Sequence, residues 1–209
     1  VSTSLHVYCV PLDALKRVPG SGDAALIQRI GESLAADMAE IDKASQECVE
    51  DEVYPYFLPV ANAVRQIVEG APLDQEVGQV YVHAYELICS ALAFERCGSW
   101  SPISDSGAYF EELDAALAAR NAWTTLDSLT CAGPVFPVPI VDCFPSPGWW
   151  TPITIFESHK ALEQRVGLWR RWFAGKTDPD IAEALEDIRG WLGTALRHTG
   201  SCLVGMHRY

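Results

Sequence analysis

The sequence predicts a helix-rich α+β fold, closed by a small sheet in which an N-terminal and a C-terminal strand pair. Three observations lead there. Apolar residues recur at three- and four-residue steps through most of the chain, as amphipathic helices require. Strand-like apolar runs stand at the two ends, Leu5 to Val10 and Ser201 to His207. Between them, hydrophobic residues make up 49% and charged residues 21% of 209 positions, enough to build a core and too apolar for a disordered chain.

In the first strand, Leu5, Val7 and Cys9 take one face and His6, Tyr8 and Val10 the other. Pro11 ends it. Leu12 to Val18 suits a short helix, and Pro19-Gly20-Ser21-Gly22 a turn. Asp23 then caps one long helix carrying Ile27, Ile30, Leu34, Met38 and Ile41 on one side. Its end gathers Asp37, Glu40, Asp42, Glu47, Glu50, Asp51 and Glu52 against Lys43. Acid opposes the dipole at a helix C-terminus, so this end is expected to fray. Val60, Ala63, Val64, Ile67 and Val68 mark the next helix, stopped at Gly70. A third long helix runs from about Glu76 to Arg96, and Gly98 to Gly107 reads as a loop. Tyr109 to Asn121 reads as a helix, and Thr124 to Leu129 as a further helical turn.

From 133 to 152 the composition changes. Prolines 134, 137, 139, 145, 147 and 152 exclude a regular helix and a central strand. Phe136, Ile140, Phe144, Trp149 and Trp150 tie the segment to the core, so it reads as a proline-rich lid within one domain spanning 1–209. Thr151 and Pro152 open another helix, with Ile155, His159, Leu162, Val166, Trp169 and Phe173 as its stripe. Asp178 and Pro179 open the last one, whose apolar face runs from Ile181 through Trp191 to Leu196. Gly200 ends it before the closing strand.

Twenty-eight acidic residues against fifteen Lys and Arg leave a net charge of −13. That field disfavours nucleic acid and anionic membrane as partners and favours a basic protein or peptide. No stretch reaches the length of a membrane-spanning helix. Seven cysteines are scattered singly, without C-x-x-C spacing, and no basic-then-apolar leader opens the chain; the expected location is a reducing cytoplasm.

Several segments are familiar: LHVYCVPLDALKRVPGSGD, YFEELDAALAA, GPVFPVP followed by DCFPSPGWWTP, and the ending ALEDIRGWLGTAL with SCLVGMHR. They resemble an uncharacterised family of acidic actinomycete proteins. More distantly, the strand-first layout and the helix–glycine–strand ending are similar to the YfbM-like family of small bacterial α+β proteins. The resemblance implies a bacterial cytosolic protein with a YfbM-like fold, and it brings no activity or site residues with it.

Two groups of residues stand out as candidate sites. His6 and Tyr8 share one strand face, and His207 and Tyr209 share one face of the last strand. If the paired strands align them, imidazoles and phenols converge near Trp149 and Trp150 and can hold a small polar ligand or move protons. The bland alternative is that they only cover the sheet. The second group is Glu47, Glu50, Asp51 and Glu52, with Trp172 outside its helix's apolar stripe, as contacts for a basic partner. His83 and Glu86 lack a second ligand pair at metal spacing, His159 lies on an apolar stripe, Cys143 has no positioned base, and no G-x-S-x-G occurs. No catalytic residue, metal or cofactor is therefore assigned, and the oligomeric state stays open. The expectation is a binding or interaction protein of immunity or regulatory type that uses an acidic surface. The alternative is an enzyme or small-molecule binder with a pocket between the sheet and the proline-rich lid.

Overall fold

Alternating side chains make β1 (Thr3–Pro11) a strand with Leu5, Val7 and Cys9 on one face. It pairs antiparallel on both sides, with β2 (Glu95–Ile103) and with β4 (Ser201–Arg208). The strand β3 (Ser146–Trp150) completes a four-stranded sheet of order β2-β1-β4-β3. The first and last strands do pair, in register from Ser4↔Arg208 to Pro11↔Ser201. The computed structural model describes residues 3–103, 106–140, 145–164 and 179–208. The chain is a helix-rich α+β protein, and it groups into two compact units. One draws on 1–11, 94–133 and 147–209, the other on 12–93 and 134–146.

In the first unit, one sheet face meets α6 (Ser106–Ala118), α7 (Leu126–Thr130), α8 (Pro152–Glu163) and α9 (Pro179–Arg197). Leu5, Val7, Cys9 and Leu203 of the sheet join Leu113, Leu129, Ile155, Ile188 and Trp191 of the helices in one buried cluster. Val7 lies opposite Gly98 on one side and Gly205 on the other. This glycine floor lets two pieces approach the sheet closely. A Cβ on Gly205 would stand 2.3 Å from the Leu129 carbonyl oxygen, and one on Gly98 would stand 2.6 Å from Trp191 Nε1.

Caps set the helix ends. Asp114 of α6 accepts the backbone N–H groups of Leu126 (2.5 Å) and Asp127 (3.4 Å), so it caps α7 from outside. Thr151 Oγ1 accepts the Thr154 N–H at 3.2 Å and Pro152 opens α8, as the sequence predicts. Thr151→Ala is expected to cost about 1 kcal/mol and to lower the melting temperature by about 2–4 °C, read from a thermal melt. α9 ends at Arg197, Gly200 reverses the chain at φ +77°, and Ser201 Oγ donates to the Ala195 carbonyl at 2.8 Å to fix the turn into β4.

The second unit contains α1 (Leu12–Lys16), α2 (Ala24–Ser33), α3 (Ala35–Glu50), α4 (Val60–Glu69), a 3-10 turn (Gln75–Val77) and α5 (Gly78–Leu92). α5 is buried on nearly every side from Gly78 to Cys89, taking Gln79 and Glu86 into the interior with its apolar residues. Asp23 caps α2, accepting from the Leu26 N–H at 3.0 Å. The single long helix expected from Asp23 onward is two helices, broken at Leu34. Just before the break, Ser33 Oγ donates to the Arg29 carbonyl at 2.6 Å and competes with the helix ladder. α3 then stays helical to Glu50, and Asp42 on it accepts the Val60 N–H at 2.7 Å, capping α4.

Two expectations need correction. α5 stops at Leu92, not Arg96, because Ala93 turns extended (φ −61°, ψ 136°) and the chain enters β2. The predicted loop from Gly98 is thus largely strand; pairing with β1 outweighs the weak strand propensity of Glu95 to Ser99. The 133–152 segment contains both irregular chain and a strand. Its end is β3, a strand at the sheet edge, where Pro147 is tolerated. Its start, Pro134 onward, belongs to the second unit. There the Val135 N–H donates to Tyr85 Oη at 3.2 Å, and Phe136 stands edge-on to Tyr85 at 5.0 Å.

Candidate functional site

The strand register decides the fate of the expected histidine–tyrosine site. Leu5 pairs with His207 and His6 with Met206. Cross-strand partners share a face. His207 therefore lies on the Leu5 face, 5.1 Å from the Phe110 ring of α6, while His6 and Tyr8 lie on the opposite face, edge to face at 6.5 Å. Trp150 belongs to the helix-covered core, its Nε1 donating to the Thr125 carbonyl (2.9 Å) and Ser128 Oγ (3.1 Å). Alternation turns half-buried Trp149 the other way. The five residues His6, Tyr8, Trp149, Trp150 and His207 do not converge, and Tyr209 lies outside the described residues.

Burial pushes the His207 imidazole below its ordinary value of 6.5. A histidine held neutral when folded binds its proton more readily once unfolded. Its contribution to stability is full above about pH 6.5 and is lost as pH falls below it. The melting temperature is expected to drop from pH 7 to pH 5, and to drop less in His207→Phe; equal slopes would refute the assignment.

Glu47, Glu50, Asp51 and Glu52 all remain exposed at the end of α3, where Glu52 turns the chain at φ 59°. Lys43 approaches Glu47 at 4.0 Å on the exposed surface, a pair of little energetic weight. Burial, then Asp51 and Glu47, raise the Cys48 thiol. Trp172, like Cys143, lies outside the described residues.

A different site is assembled where β2, α6 and α9 meet. A groove of about 470 Å³ is lined by Ser99, Trp100, Ser101 and Ile103 of β2, Tyr109 of α6, and Asp180, Glu183, Ala184 and Asp187 of α9. The three carboxylates lie at i, i+3 and i+7 and so share one side of α9. Asp180 and Glu183 sit near the positive end of the α9 dipole. Trp100 forms the wall: its Nε1 donates to Asp187 Oδ2 at 2.8 Å, and Tyr109 meets it edge-on at 6.0 Å. Trp191, seated over Gly98, backs it at 4.7 Å and 43°.

Aromatic faces and carboxylates around one open groove suit a cation, which gains ring quadrupole attraction and ion pairing together. A lysine or arginine side chain has that chemistry and fits the volume. Sequence reasoning missed this site because Trp100 was assigned to a loop and its partner Asp187 lies 87 positions away. The acidic i, i+3, i+7 pattern on α9 was the one signal available.

Among the described residues no group of three or more His, Cys, Asp or Glu side chains could hold a metal ion, and no helix is long and apolar enough to cross a membrane. Comparison with curated proteins and with solved structures finds no match. One family profile, described as a domain of unknown function, DUF7691, matches residues 1–208. The chain, with its α+β fold and its acidic, aromatic groove, belongs to that family of unknown function.

Proposed function

We propose that this chain is a binding protein that takes a lysine or arginine side chain of a basic protein or peptide into the groove between β2, α6 and α9. The observation that carries the reading is Asp180, Glu183 and Asp187 lining one groove with Trp100 and Tyr109. The exposed acids Glu47, Glu50, Asp51 and Glu52 and the net charge of −13 supply longer-range attraction for the same partner. A cytoplasmic regulatory or immunity role in a bacterium, and the actinomycete and YfbM-like relationships, are proposals on the same footing. They rest on the motifs quoted above and on the strand-first, helix–glycine–strand layout.

Isothermal titration with a short arginine- and lysine-rich peptide tests the binding. Heat of binding is expected at low salt, weakening as salt rises and falling in Trp100→Ala. A peptide that gives no binding at low salt, or binds Trp100→Ala equally well, would overturn the reading.

A further inference from the structure

Cys9 of β1 and Cys97 of β2 meet on the helix-covered face of the sheet. Val7 pairs with Gly98 and Tyr8 with Arg96, so Cys97 is the extra residue of a β-bulge. A bulge re-aims the side chain it carries, and here Cys97 packs against the buried cluster that contains Cys9. The two thiols hydrogen-bond to each other. β2 is an edge strand; Cys97 is partly exposed and Cys9 fully buried, and both are free thiols.

We propose that Cys9 and Cys97 are a redox modification site, closing to a reversible disulfide when a small hydroperoxide oxidises one thiol of the pair. In the first step one thiol of the pair ionises and attacks hydrogen peroxide; the O–O bond breaks, a sulfenic acid forms, and one water leaves with the thiol proton. In the second the sulfur of the remaining thiol attacks the sulfenic sulfur; the S–S bond forms, the S–O bond breaks, and a second water leaves. Two thiols lose two electrons and two protons, and the peroxide O–O bond is reduced to two waters.

The surroundings make Cys9 the thiolate of the reduced pair. The hydrogen bond from Cys97 pulls the Cys9 thiol down to about 7 against the opposing effect of burial, with the Ser201 hydroxyl and the Arg197 guanidinium helping and Glu95 opposing. Cys97 is raised in return, since the pair shares a proton. Arg197 is held beside the pair by Glu95 at 3.0 Å. The exposed Cys131, with no thiol partner shown among the described residues, serves as an internal control.

The test treats the full chain with hydrogen peroxide, blocks remaining thiols with iodoacetamide, and maps non-reduced peptides by mass spectrometry. A Cys9–Cys97 linked peptide is expected, lost on treatment with dithiothreitol and absent in Cys97→Ser, where Cys9 is recovered alkylated. Recovery of both cysteines alkylated at a dose that oxidises Cys131, or either one linked to another cysteine, would overturn the proposal. Should Cys97→Ser fail to fold, the wild-type peptide map decides alone.

Discussion

Gly205→Val is expected to lower the melting temperature sharply. The first atom of any side chain there would stand 2.3 Å from the Leu129 carbonyl oxygen and 2.6 Å from Leu129 Cγ. Backbone cannot swing aside as a flexible side-chain tip can. α7 cannot retreat easily either, because Asp114 holds its N–H groups and Trp150 Nε1 donates to the Thr125 carbonyl at its start. Separating α7 from the sheet would also expose Leu126 and Leu129, both fully buried. The cost is at least about 3 kcal/mol, from overpacking and lost burial together. Thermal unfolding monitored by circular dichroism measures it. An unchanged melting temperature would mean that α7 does not rest on β4 in this way.

The second large effect is functional. Glu183→Lys places a cation inside the groove while leaving an exposed helical position with no described ion pair to lose. Affinity for the basic peptide is expected to fall at least about tenfold, or 1.4 kcal/mol, with little change in melting. Glu50→Lys at the end of α3 makes the same charge change at a residue that does not line the groove and is expected to cost much less, since charges outside the contact act mainly through encounter rate. Equal losses in the two variants would assign binding to the general acidity of the chain and not to the groove.

What the sequence made legible follows from the range of each signal. Local chemistry was readable: the caps Asp23 and Thr151, the Gly200 stop, and the stripes that became α4 and α9 all act within a few residues. The pairing of the end strands was readable because each carries a run of apolar residues that a helix-rich chain leaves nowhere else to go. The register was not. A shift of one residue exchanges the faces, and it is this parity that sends His207 to Phe110 and away from His6. β2 was hidden because Glu95, Arg96, Gly98 and Ser99 are poor strand formers held by β1 alone among the described strands. With β2 hidden, so was the groove, whose wall and floor join residues 87 positions apart. The break at Leu34 reflects a single serine hydroxyl turned back on its own helix.

The groove can be interrogated directly through the indole N–H of Trp100, which donates to Asp187 on the groove lining. Its nuclear magnetic resonance signal is assigned by its disappearance in Trp100→Phe. Titration with the arginine- and lysine-rich peptide is expected to move that signal in a saturable way, and added salt to move it back. A peptide that binds while the Trp100 indole signal stays in place would contradict a cation-binding groove.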